Sequence, residues 1–366
     1  MFLRCVSVRP FLAALFFSVC PAAQPAAPDP RSGLINPQGI AFNSANRKVY
    51  AVDQAHAQVS VIDTVSQAVR SVKVGTAPVS IAVDSVSGRA YVANSGDGTV
   101  SIIDGISDKV LETVAVGAHP YSIAANSRTG TVYVSHTFSD RTTVFDAATG
   151  AVTQLATGSA DLIAVDSTAN TAYLLGYEGG TLTILEGAGL TLRKQQAGQH
   201  AWGMAVNEAT HTLYVARMGT ADVIALRGTS SSILHAGHTP CAVAIDPRTG
   251  TIYVANYADG STSVLDAETG RGLATIPVGV HPQALALDVR RRLVYVANTA
   301  SGTVTLIDEE RRKPVATVPA GKAPYALAVD PGSSKLYVAN EAGDRPFTIV
   351  DTSLPQNTNS RATVRR

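Results

Sequence analysis

A chain of 366 residues with 29 Lys and Arg against 28 Asp and Glu carries a formal charge of +1, and only 16% of its residues are charged. That balance leaves little to attract a polyanion, so neither nucleic acid nor an anionic membrane surface is expected as a partner. Hydrophobic residues make up 45%, with 30 Gly and 18 Pro, which describes many short elements joined by tight turns and favours an all-β chain.

The first element reads as an address. Residues 1–23 hold two early arginines, Arg4 and Arg9, then the apolar run "FLAALFFSVC" and the small residues of "PAAQ", the order of a signal peptide cut near Ala22 or Ala23. The apolar run is too short for a membrane span, which takes about 20 residues. Export to the periplasm or the cell exterior is expected, with 24–33 as a linker. Of the three cysteines only Cys241 lies beyond the leader, so no internal disulfide is available and packing alone must hold the mature chain.

From Leu34 to Thr352 one pattern recurs. Tyr50, Tyr91, Tyr133, Tyr173, Tyr214, Tyr253, Tyr295 and Tyr337 mark eight units, each 39 to 42 residues from the next by subtraction. A period near 40 belongs to four-stranded propeller blades. Each unit has the same internal order, shown by the second: "SIAVD", a turn, "RAYVAN", the turn "SGDG", "TVSIID", then "VLETVAVG". Four short β-branched and aromatic runs separated by turn residues predict four antiparallel strands, here a to d from the channel outward. One such sheet cannot cover both of its faces, so the units must stack, and a ring removes the exposed ends. Eight blades are expected, with seven as the alternative. The last unit has no evident strand d; either 31–35 or "RATV" (361–364) is available to fill that slot, within an otherwise polar tail, 353–366.

The repeats "YVAN" and "YVANSGDGTVSIID" resemble those of the YVTN family of β-propellers, also called YncE-like, over essentially the whole of Leu34 to Thr352. The resemblance implies an exported propeller used mainly for binding, and it brings no catalytic motif that can be placed on this chain. Asn94, Asn256, Asn298 and Asn340, at the end of strand b, are expected to bond their own turns. Asp63, Asp104, Asp146, Asp266, Asp308 and Asp351, at the end of strand c, are expected to be turn residues as well.

Where the units differ, function is sought. In an up-and-down blade the d-to-a and b-to-c loops share one face. Before the usual Pro of the d-to-a loop stand Asn36, Ala77, His119, Ser159, His200, Thr239, His281 and Ala323. Because alanine serves there too, the fold does not demand the histidines. Three imidazoles on alternate blades suggest a divalent or transition-metal site made of His119, His200 and His281. Two positions later come Gln38, Val79, Tyr121, Asp161, Trp202, Cys241, Gln283 and Tyr325, a mixture suited to a small polar or ring-bearing ligand. The b-to-c loops add His136, Arg141, Tyr177, Glu178 and Arg217. The expected ligand site is therefore His119, Tyr121, Asp161, His200, Trp202, Arg217, His136 and His281 at the channel mouth.

No Gly-x-Ser-x-Gly, Cys-x-x-Cys or His-Glu-x-x-His motif occurs, and no catalytic residue is nominated. A binding protein for a small molecule or a protein partner is the first reading. The alternatives are a metal- or cofactor-dependent propeller enzyme, lactonase-like or redox, and a cell-envelope interaction protein.

Overall fold

A computed structural model describes residues 39–342 and 346–353. The leader, the linker and the tail beyond 353, including both segments proposed for the last outer strand, lie outside the described residues, as do Asn36 and Gln38.

Among the described residues every regular element is a β-strand, and the strands group in chain order into eight antiparallel sheets. Blade two shows the plan: strand a is Pro78–Val83, b is Ala90–Asn94, c is Thr99–Asp104 and d is Lys109–Ala115. Burial is complete along b and nearly lost along d, so d is the outer edge. Strands a of successive blades pack on one another around the central bore. Tyr91 pairs with Ala82 on one side and Ile102 on the other. Its ring then crosses to blade three and meets Phe145 edge-on, with centroids 6.2 Å apart. All eight repeat tyrosines are buried in such interfaces. Each buried side chain of this size stabilises the stack by roughly 1.5–3 kcal/mol, and this explains why the units repeat.

The ring closes at eight, not seven. Blade eight (Lys322–Val329, Lys335–Ala342, Phe347–Asp351) packs on blade one (Ile40–Asn43, Lys48–Asp53, Gln58–Asp63, Val69–Lys73). Ile40, Val49, Ala51 and Ile62 share a core there with Tyr325, Ala326 and Tyr337. Asp330 accepts from Arg47 Nη2 and from Thr64 Oγ1, both at 2.6 Å. Among the described residues blade eight has three strands while the other seven have four. Its strand c is half-buried at Phe347, Thr348 and Ile349, where Val100, Ser101 and Ile102 of blade two are buried. The chain is anchored just after this strand: Arg291 of blade seven reaches the Thr352 hydroxyl and carbonyl, each at 2.6 Å.

The strand-c aspartates behave as turn residues. Asp266 Oδ1, for example, accepts the backbone N–H groups of Glu268 and Thr269 at 3.1 and 2.8 Å. The "YVAN" asparagines act differently from expectation. Asn256 Nδ2 donates to Ser261 Oγ and Ser263 Oγ of the adjacent strand at 3.0 and 2.9 Å, and its Oδ1 accepts Gly237 N–H at 3.0 Å. Asn256 thus ties strand c to the d-to-a loop; Asn94 and Asn298 each reach two strand-c hydroxyls and Asn340 one, but among the described residues their Oδ1 atoms have no hydrogen-bond partner. A Cβ on Gly237 would lie 2.7 Å from the Asn256 amide, which is why glycine faces it.

Candidate functional site at the channel mouth

The d-to-a and b-to-c loops meet on one face through a recurring backbone bond. The carbonyls of Ala77, His119, His200, Thr239 and His281 accept the N–H groups of Ser95, Thr137, Met218, Tyr257 and Thr299 at 2.9–3.0 Å. To present that carbonyl, these residues take φ between 47° and 54°, the left-handed region that histidine enters more readily than most side chains. The backbone thus fixes the position and leaves its side chain free. His119 and His200 are exposed, while His281 lies half-buried on the ring of Tyr257, stacked at 4.2 Å and 14°.

The second variable position has its own cause. In blades two, five, six, seven and eight the ladder between strands a and b slips by one residue there: Pro78 and Ser80, Ala201 and Gly203, Pro240 and Ala242, Pro282 and Ala284, Pro324 and Ala326 flank the shift. Val79, Trp202, Cys241, Gln283 and Tyr325 are the skipped residues of these β-bulges. A bulged residue has no partner across the ladder, so its side chain is re-aimed and free to vary. Cys241 Sγ donates toward the Pro282 carbonyl of the next blade at 3.2 Å, and burial pushes its thiol up to about 12. Trp202 turns toward blade four and meets Tyr177 edge-on, centroids 5.4 Å apart. His200 also packs near that tyrosine ring, with centroids 5.4 Å apart.

Below this aromatic group the bore opens into a cavity of about 250 Å³. Its wall is built by strands a of blades four to eight (Leu162–Asp166, Ala201–Asn207, Pro240–Asp246, Pro282–Asp288 and Lys322–Val329). Leu162, Trp202, Met204, Val243, Leu285 and Leu327 contribute side chains to its wall, with Cys241 at its side, and more of its open surface is polar than apolar. No charged residue lines it.

The eight expected site residues separate into different settings. Trp202 faces the bore cavity. Asp161 stands beside it but accepts Tyr177 N–H at 2.7 Å, so it orders the loop. Tyr121 is half-buried and its carbonyl accepts Ser80 Oγ at 2.6 Å. Arg217 makes a two-pronged ion pair with Asp222, 2.6 Å on each arm, inside its own blade. His136 is buried, with Nδ1 on the Ala118 carbonyl and Nε2 on Thr143 Oγ1, each 2.9 Å. Both occupy the slot that asparagine fills in "YVAN", and both are held by neighbours. His119 and His136 line a pocket over blade three, apart from the bore. The metal expectation for His119, His200 and His281 needs correction: among the described residues no three His, Cys, Asp or Glu side chains are close enough to share an ion. Alternate-blade spacing puts the imidazoles around the rim without making them converge.

On the opposite face Asn43, Asp84, Asn126, Asp166, Asn207, Asp246, Asp288 and Asp330 stand at the end of strand a or just after it, buried in every blade. These side chains accept the a-to-b turn, as Asp84 does from Val86 and Ser87 N–H. Their uniformity marks them as scaffold, and the variable face is the functional candidate.

No protein-family model matches the chain, and no curated protein does. Solved structures do. A hydrazine synthase of Kuenenia stuttgartiensis is similar at 17% identity and TM-score 0.58, covering 88% of this chain and 97% of that one. The dihydro-heme d1 dehydrogenase NirN, solved in complex with DHE, is similar at 12% identity and TM-score 0.72, over 87% of this chain and 72% of that one. A protein of unknown function from Desulfotomaculum acetoxidans is similar at 11% identity and TM-score 0.61, over 80% and 98%. At such identities the likeness is one of fold, the β-propeller.

Proposed function

We propose that this chain is an exported binding protein of the YVTN-repeat type that takes a small polar or ring-bearing ligand into the mouth of its bore. The observation behind this reading is Trp202: a β-bulge turns the only tryptophan onto a cavity of about 250 Å³ walled by aliphatic side chains. Sites for drug-sized ligands run from about 300 to 1,000 Å³, so the ligand is smaller than that. Orientation comes from the polar groups at the entrance, His200 and the free oxygen side of Asp161. A catalytic role has less support: the Cys241 thiol, raised to about 12 by burial, is no nucleophile near neutral pH, and no base stands beside it. Export is supported by the arginine-plus-apolar leader of residues 1–23.

The test is to secrete the protein and titrate small polar and ring-bearing compounds while following Trp202 emission. A saturable change that disappears in Met204→Phe, which narrows the cavity without adding a second indole, supports the reading. Tight binding that leaves Trp202 emission unmoved and persists in that variant refutes it.

A second reading, a cofactor-dependent propeller, is favoured by one observation, the exposed imidazoles of His119 and His200 on the same face, together with the hydrazine synthase and the dihydro-heme d1 dehydrogenase among the fold neighbours. A coloured preparation, bleached by His200→Ala, would favour it over the first.

A further inference from the structure

The pocket over blade three shares nothing with the bore. It measures about 280 Å³ and lies between the d-to-a loop entering blade three and that blade's b-to-c loop. His119, His136, Phe138, Ser139, Arg141 and Gln154 are among its lining residues, and no carboxylate is. Arg141 is exposed at the start of strand c, and the Gln154 amide donates to the Val116 carbonyl at 3.3 Å.

Phe138 is the anomaly. Its side chain is 94% exposed and its backbone stands at φ 60°. Neither fact is explained by packing. A bulky residue in the left-handed region costs free energy, and an aromatic ring held wholly in water gains none of the burial that offsets such strain elsewhere. In the same loop of blade two the left-handed residue is a glycine, Gly98 at φ 70°. The ring is placed where it can close over a ligand in the pocket, whose lining also includes His119.

We propose that this pocket is a separate binding site for a small aromatic carboxylate: one ring lies against Phe138 and His119, and one negative charge is held by Arg141. A lone permanent cation, hydroxyls and an amide without a competing acid select a single anionic group. An exposed aromatic side chain supplies a stacking partner.

Benzoate is the probe, with benzyl alcohol and acetate as controls for charge and ring, and binding is read by ligand-observed NMR on the folded full-length protein. Saturable benzoate binding is expected, and its Arg141-dependent part, which excludes any ligand held in the bore, should be much weaker for both controls. Arg141→Gln should weaken it about tenfold or more, the loss of one charge-assisted hydrogen bond. Phe138→Gly, which also relieves the strained backbone, should weaken it about two- to tenfold. Trp202→Phe, in the bore, should leave benzoate binding unchanged, which keeps this site distinct from the bore reading. Absence of saturable benzoate binding overturns the proposal. So does equal binding of acetate, or an affinity unaltered by Arg141→Gln and Phe138→Gly.

Discussion

Tyr177 and Trp202 meet edge-to-face with their centroids 5.4 Å apart and their planes at 89°, although they belong to different blades. Both are buried, at 4% and 3% exposure, so the pair joins blade four to blade five at the point where the bore opens. Such a pair is worth about 0.5–1.5 kcal/mol beyond the area it covers. Tyr177→Leu keeps most of the apolar volume and removes the edge contact. The expected result is a loss of about that size in chemical unfolding, together with a red shift of Trp202 emission as water reaches the indole. Unchanged emission would mean that Tyr177 does not shield the ring.

How this pair arises also shows what the sequence could and could not disclose. The eight tyrosines, at 39 to 42 residues apart, reveal the ring because blade packing repeats the same demand on every unit. Trp202 and Cys241 stood out because they break the repeat. The bulge that frees them was not visible, since it is a slip of register and not a residue type. The shared role of Arg217 and His136 was hidden for a related reason. Each replaces the "YVAN" asparagine, yet the partners of that position, such as the two strand-c hydroxyls and the loop N–H of Asn256, appear only when the strands are paired. Phe138 did not stand out in the sequence; its exposure and left-handed backbone appear only in the fold.

The rim histidines separate by their contacts. At φ 47° and 51°, Ala77 and Ala323 already occupy the same backbone position, so alanine strains nothing there. His119→Ala and His200→Ala are expected to change stability by no more than about 0.5 kcal/mol, the usual range for exposed sites. His281→Ala loses the stack on Tyr257 at 4.2 Å and should cost about 0.5–1.5 kcal/mol. Denaturant midpoints of the three single variants decide the order; equal effects would remove the stack as the distinction.

Ring closure rests in part on one buried carboxylate. Asp330 is 2% exposed; burial alone would raise its pKa, but hydrogen bonds from Thr64, Arg47 and the Gly332 N–H outweigh burial and hold it below the usual carboxylate range. A carboxyl lowered in the fold stabilises the fold above its unfolded pKa, and that contribution is lost as pH falls through the folded value. Thr64→Val removes one of these bonds without changing shape, leaving a buried acceptor short of a donor at a cost of about 1–3 kcal/mol. The variant should also begin acid unfolding at a higher pH than the parent. If its acid transition coincides with that of the parent, Asp330 is not what the closure depends on.

His136 offers the sharpest comparison between blades, because Asn256 fills the same slot in blade six. Burial lowers its pKa, partly opposed by the hydrogen bond to the Ala118 carbonyl. A carbonyl only accepts, so Nδ1 carries the proton, and in the neutral ring Nε2 accepts from the Thr143 hydroxyl 2.9 Å away. When the imidazole gains a second proton, that hydroxyl has another acceptor ready, the Val116 carbonyl at 2.7 Å. The hydrogen bonds therefore survive protonation and the burial penalty remains. For a base whose folded pKa is depressed, the unfolded chain takes up the proton first. Stability is then full above the ordinary histidine value near 6.5 and declines as pH falls through it toward the lower folded value. His136→Asn places a neutral amide within reach of Thr143, as Asn256 is within reach of Ser263 at 2.9 Å, and removes that decline. Melting temperatures of the two proteins should run parallel above pH 7 and diverge in favour of the variant below pH about 6. Curves that stay parallel to pH 4.5 would show that His136 is protonated in the fold as easily as in the unfolded chain.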